Sequence, residues 1–142
     1  MLMLSKRVEY GLMALLHIDQ VGRSDVVSSK EVADAYDLPG DLIGKVLQSL
    51  ARSGLIEALH GAKGGYRINR SLAGISLGDV IRAIEGPVHL VKCQHDAADC
   101  HRVGTCIVRD PIGRIHIRLQ SFMDGISLAS LKENPEGVTL ER

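Results

Sequence analysis

Tryptophan is absent from this 142-residue chain, and one Phe and three Tyr supply all of its aromatic rings. The core must therefore be aliphatic, which suits helices packed through Leu, Ile and Val. Long apolar runs are absent as well. No stretch approaches the roughly eighteen residues needed to span a bilayer. Met1–Ile18 is apolar with early Lys6 and Arg7, as a secretory signal would be. Glu9 and His17 interrupt it, and no small-residue cleavage site follows. Net charge is absent too, with 17 basic and 17 acidic residues. Cysteine is missing everywhere except residues 93–106, and the count of three is odd. That excludes a disulfide framework stapled across the chain and makes a reducing cytoplasm the expected setting. No acid–base pair or nucleophile constellation appears, so no enzyme is expected.

What is present is an ordinary globular balance, 45% apolar and 24% charged, enough for one moderate core plus an appended dimerisation element. Charge that cancels over the whole chain does not cancel locally. Residues 40–70 carry Lys45, Arg52, Lys63, Arg67 and Arg70 against Asp41 and Glu57. Nucleic-acid binding needs a basic face, not a basic total.

Apolar spacing predicts a first helix over residues 4–21, with Leu4, Val8, Leu12 and Leu15 on one stripe. Ser28 and Glu31 match a capping box that opens a short second helix. After Asp37-Leu38-Pro39-Gly40, Ile43, Val46, Leu47 and Leu50 fall at i, i+3, i+4 and i+7, and Gly54 ends this third helix. Asp41, Lys45, Gln48 and Arg52 lie almost opposite that stripe. The pair describes a helix-turn-helix. Residues 55–59 and 66–69 then read as short strands around His60-Gly61-Ala62-Lys63-Gly64-Gly65. Such a tip, rich in glycine and bearing one lysine, can enter a minor groove or sit on phosphates. A fourth helix is capped by Ser76 with Asp79 and stopped by Gly86-Pro87.

The cysteines follow as Cys93-x6-Cys100-x5-Cys106, with His95, His101, Asp96 and Asp99 among them. A loop with so little apolar surface needs something other than burial to order it, and a thiolate-bound metal centre would do that. His95 and His101 keep a Cys3His zinc site open. Asp110-Pro111 then reads as the start of another helix. Ile112, Ile115, Leu119 and Phe122 step along it like a coiled-coil seam flanked by Arg109, Arg114, His116 and Arg118. A seam of two heptads needs a partner. Ile126–Leu131 is a closing piece, and Lys132–Arg142 a frayed tail.

The predicted fold is thus mainly α with a small β wing: a winged helix-turn-helix plus a long C-terminal dimerisation helix. Residues 1–87 form the DNA-binding domain, 88–107 the cysteine loop, 108–131 the dimerisation helix with its closing segment, and 132–142 a flexible tail.

Leu4-Ser5-Lys6 with Tyr10, Lys45-Val46-Leu47-x-x-Leu50 with Gly54-Leu55-Ile56, His60-Gly61-x-x-Gly64-Gly65-Tyr66 and the cysteine triplet together resemble the IscR/NsrR-type family of winged-helix iron–sulfur transcriptional regulators. The resemblance runs to about residue 131. It implies a homodimer that binds double-stranded operator DNA, with no membrane association, and an affinity set by a cluster on Cys93, Cys100 and Cys106. A 2Fe–2S cluster is expected in preference to 4Fe–4S. Where IscR-type members place a histidine ligand after the third cysteine, this chain has Arg109, which cannot ligate. NsrR-type members use an acidic residue of the first helix, reaching from the other subunit, and Glu9 occupies that place. Glu9 equally fits a salt bridge to Lys6 or Arg7.

For DNA, Lys45 and Gln48 are expected at the recognition helix and Lys63 and His60 at the wing, with Ser28 and Lys6 on phosphates. Gly44 stands where IscR-type members carry a glutamate that tunes site choice, so the operator need not match. Two rival readings keep the metal and drop the regulation: a zinc-stabilised or cluster-free winged-helix binding module, and an iron–sulfur redox protein.

Overall fold

A computed structural model describes residues 2–96, 98 and 100–133. Helix α1, Lys6–Val21, starts two residues later than its apolar spacing suggests, because the Ser5 hydroxyl accepts the Val8 N–H and caps it. Its buried face is Val8, Gly11, Ala14, Leu15 and Ile18. Helix α2, Ser29–Tyr36, opens on the expected capping box: the Ser28 hydroxyl accepts the Glu31 N–H at 3.1 Å, and the Glu31 carboxylate accepts the Ser28 N–H. Asp37, left-handed at φ 53°, turns the chain towards α3, Gly40–Arg52.

The apolar stripe of α3 is completely buried and packs against α1, α2 and helix α4, Leu77–Glu85. Helix α4 presents Val80, Ile81 and Ile84 to the same core and carries the predicted Ser76–Asp79 box. Gly11 is where α1 comes closest: an added Cβ would overlap Ile84.

Strands β1, Glu57–Leu59, and β2, Gly65–Arg67, pair antiparallel, with Glu57 opposite Arg67 and the two joined by a 2.9 Å ion pair. The ladder is shorter than the predicted runs because Leu55, Ile56 and Ile68 turn into the core instead of continuing it. The sheet has a third participant that periodicity does not reveal. Val27 exchanges two 2.8 Å backbone hydrogen bonds with Tyr66, fastening the wing to the residue before the α2 cap. A Cβ on Gly65 would lie 2.6 Å from the Val27 carbonyl oxygen, so only glycine permits this approach.

Helix α5 is Arg109–Asp124. Val108, not Asp110, is its N-cap and supplies no side-chain bond. Asp110 lies in the first turn, where a negative charge suits the helix dipole, and Pro111 occupies a position whose N–H has no intrahelical partner to lose.

The predicted seam divides into two faces. Leu119 turns inward onto the winged-helix core beside Met123, which the seam does not include, and Ile112 is half-buried, whereas Ile115 (56% exposed) and Phe122 (66%) stay outside with Pro111 and Arg118. Leu119 therefore belongs to the fold and not to the open stripe.

Helix α6, Leu128–Lys132, brings the chain back to the head. Leu128 is fully buried and donates its N–H to Ile75, while the Leu77 N–H bonds to the Ile126 carbonyl. Lys132, placed by its sequence in the frayed tail, ends α6 and pairs with Asp19 at 2.6 Å. The rest of the predicted tail, 134–142, lies outside the described residues.

Candidate functional site

Two surfaces carry chemistry. On the first, Asp41, Lys45, Gln48 and Arg52 are all exposed on the α3 face opposite the core. Gln48 lines two adjoining grooves. One it shares with Ser29, Gly40, Gly44 and Lys45; the other it shares with Arg52, His60 and Tyr66 of the wing side. A side chain in that position meets whatever enters either groove, and its amide offers the paired donor and acceptor that adenine presents in a major groove. Nothing lies within 4 Å of a Cβ built on Gly44, so the helix surface there is open.

Lys63 is exposed at the tip of the wing and His60 at its base. The Ser28 hydroxyl is engaged as a cap, and its neighbour Ser29 is the one that lines the α3 groove. Sequence reasoning singled out neither Ser29 nor Tyr66 for this surface, although Ser29 sits beside a recognisable cap. Lys6 is exposed and bonded to Glu9 at 2.7 Å; that hydrogen bond and the carboxylate charge raise the Lys6 pKa.

The second surface is the segment joining α4 to α5. Cys93 lies in a short 3-10 turn, Lys92–Gln94, held by Gln94, whose side-chain oxygen accepts the Leu90 N–H at 2.9 Å. Cys93, Cys100 and Cys106 are half-buried free thiols. Cys93 lines an open cavity of about 900 Å³ together with His89, His95, Arg109, Arg114 and His116. His89 stacks between His95, at 5.2 Å between ring centroids, and His116, at 6.1 Å. The histidines of this stack other than His95 carry no spacing signal in the sequence, because they are brought together only when α5 packs alongside the loop.

Among the described residues, no three His, Cys, Asp or Glu side chains converge as a ligand set. The donor chemistry nonetheless fits an iron–sulfur cluster. Three free thiols stand within fourteen residues, and Cys93, one of them, lines a cavity with His116, whose Nδ1 is buried with no hydrogen-bond partner among the described residues. Glu9 lies outside this cavity, with its carboxylate held by Lys6.

The model of the Rrf2 family, described as an iron-dependent transcriptional regulator, matches residues 4–134. This chain belongs to the Rrf2 family. Its fold is shared with CymR (YrzC), the global cysteine regulator of B. subtilis, at 24% identity and a TM-score of 0.69 over 96% of this chain and 100% of that one. T. potens IscR matches at 23% identity and a TM-score of 0.69, covering 99% of this chain and 93% of its own. Staphylococcus aureus CymR matches at 24% identity and 0.64, covering 96% and 100%.

At these identities the likeness is one of fold. It agrees with the predicted architecture, mainly helical with a two-stranded wing, and the family match bears out the resemblance read from the motifs. Rrf2 members are transcriptional regulators. In this Rrf2 chain, no helix among the described residues is long and apolar enough to cross a membrane.

Proposed function

We propose that this Rrf2 chain is a homodimeric regulator that binds operator DNA with an affinity set by an iron–sulfur cluster on Cys93, Cys100 and Cys106. One juxtaposition carries the reading: the three free thiols occupy the chain segment that links α4, which packs on the recognition helix, to α5, whose outer apolar residues Ile115 and Phe122 are exposed. When bound, such a cluster supplies a centre whose oxidation or loss registers a chemical signal. The fourth ligand comes from outside the triplet.

Everything else falls to the chain's own residues. Lys45 and Gln48 enter a major groove, with Lys63 and His60 on the adjacent backbone or minor groove. Ile115 and Phe122 pack on their counterparts in a second copy and set the distance between the two wings. Ordering residues 93–106 restrains α5 relative to α4, and so biases that distance. A coupling of about 1–3 kcal/mol changes operator affinity some 5- to 150-fold.

The test is anaerobic purification with iron, sulfide and zinc counted per protomer, followed by selection of duplex DNA from a random library with and without the metal. The expected outcome is iron with matching sulfide and a selected two-fold symmetric site whose affinity changes on cluster removal. Zinc without iron, or a colourless protein with unaltered DNA binding, overturns the sensing in favour of a plain winged-helix module. That second reading draws on the lack of a converged ligand set among the described residues. A cluster protein that selects no duplex would instead be a redox carrier.

A further inference from the structure

We propose that Asp41 of α3 is a specificity-determining residue whose carboxylate selects cytosine at one base pair of the operator, an inference that rests on the DNA-binding reading. Residues 40–70 carry Lys45, Arg52, Lys63, Arg67 and Arg70, and their acids are Asp41 and Glu57. Glu57 is matched by Arg67 across the wing at 2.9 Å. Asp41 is exposed and enters no ion pair among the described residues. It is an unmatched negative charge on an otherwise basic face.

The ordinary uses of an aspartate in a first turn leave this one unspent. Glu31 and Asp79 close capping boxes, whereas α3 starts from Pro39 with no side-chain cap bond. Lys45 stands four residues after Asp41, the favourable order for a pair along a helix. The two are nonetheless not joined, although Lys30 and Asp34 are, at the same spacing on α2. The helix dipole favours an acid anywhere in this turn and does not require it on the face shared with Lys45 and Gln48.

Position supplies the missing use. Asp41, Gly44, Lys45 and Gln48 fall at i, i+3, i+4 and i+7, and they line one groove with Ser29 and Gly40. Nothing lies within 4 Å of a Cβ built on Gly40 or Gly44, so the surface beside the carboxylate is open. A base edge that reaches Gln48 and Lys45 therefore also meets Asp41.

An ionised carboxylate only accepts hydrogen bonds, and DNA phosphates repel it. Asp41 thus lowers affinity for DNA in general and can contribute only by discrimination. In the major groove cytosine offers its N4 amino group as a donor. Guanine presents two acceptors, thymine one, and adenine sets N7 beside its amino group. Over cytosine the carboxylate regains a hydrogen bond; over the other bases it loses water and faces acceptors. Lys45, one turn further along the groove, supplies the cationic donor that suits the guanine paired with that cytosine.

The experiment titrates the full-length protein, in the metal state that selects duplex DNA, against the selected site and all its single-pair variants. Wild type should prefer cytosine at one pair of each half-site by roughly 5- to 150-fold. Asp41→Ala should erase that preference and bind unrelated duplex at least as tightly as wild type, because a negative charge has left the interface. Asp41→Asn should move the preference at the same pair to adenine, which an amide reads through N6 and N7. A merely structural role in α3 would instead weaken every sequence alike. A cytosine preference that survives Asp41→Ala, or a loss common to all sequences, overturns the inference and leaves the DNA-binding reading standing. A wild type that selects no duplex overturns both.

Discussion

Arg82 of α4 donates to Asp124, the last residue of α5, at 2.7 Å, and its second guanidinium nitrogen donates to Asp79 at 2.9 Å. This fork ties the end of α5 to α4, the helix packed on α3. The pairs are half-exposed, so each contributes only about 0.2–1 kcal/mol to stability. Their value is positional. Arg82→Met should lower stability by about 1 kcal/mol, leave the dimer intact, and shrink the difference in operator affinity between cluster-loaded and cluster-free protein. Gly78→Ala should act similarly, since its Cβ would overlap the Asp124 carboxylate. Thermal melts and DNA titrations of both forms check this; a variant with the full affinity difference would place the coupling elsewhere.

The same network sets a pH dependence. Partial burial raises the Asp79 pKa, but hydrogen bonds from the Ser76 N–H, Arg82 and the Ser76 hydroxyl outweigh it, and the net shift is downward. Glu31 in the other capping box is lowered as well, chiefly by the Ser28 N–H. A carboxylate with a depressed folded pKa contributes stability that is complete above its unfolded value, about 4, and is lost as pH falls through the folded value. Melting temperature should therefore hold from pH 7 to about 5 and drop below 4, where the unfolded chain binds more protons. Asp79→Asn should flatten part of that acid limb, which melts between pH 3 and 7 would register.

The fold was readable in the chain wherever local chemistry decides it. The α3 stripe, both capping boxes and the glycines of the wing act over a few residues, so their spacing alone places them. Contacts between distant segments left no such trace. Val27 joins the wing through two backbone bonds that any residue can make, and Leu119 turns inward only because the winged-helix core is there to receive it. The candidate site divides in the same way. The cysteines stand out by clustering, whereas His89 and His116 are 27 positions apart and meet through the return of α5.

Gly65→Ala tests the wing. The added Cβ would press on the backbone carbonyl of Val27, which cannot swing aside as a side chain can. Loss of the Val27–Tyr66 pairing should cost about 1–3 kcal/mol and displace Lys63, while α1–α4 persist. Urea unfolding should show the loss, and far-UV circular dichroism should show nearly unchanged helix content. DNA affinity should fall more than tenfold, and unchanged affinity would detach the wing from DNA binding.

Phe122 and Ile115 test the dimer. They are seven residues apart on one side of α5 and mostly exposed, a costly arrangement for two large apolar groups unless a second copy covers them. In a two-fold interface each substitution appears twice, so Phe122→Glu sets like charges near each other in an apolar contact. Analytical ultracentrifugation should show a monomer at concentrations where wild type is dimeric, with the fold preserved because Phe122 is outside the core. A dimer undisturbed by Phe122→Glu would assign the interface to another face.

Gln48 and Lys63 should fail in different ways, and the difference separates reading a sequence from holding the backbone. Gln48 faces both grooves beside α3, so Gln48→Ala should cost about 1–3 kcal/mol at one base pair of the selected site and leave the salt dependence alone. Lys63 stands at the wing tip, so Lys63→Ala should weaken all sequences nearly equally and reduce the slope of log affinity against log salt by about 1. Titrations against the selected duplex and its single-base variants, at three or more salt concentrations, resolve the two. If Lys63→Ala relaxes base preference while Gln48→Ala lowers the salt slope, the roles are reversed and the wing, not α3, reads the operator.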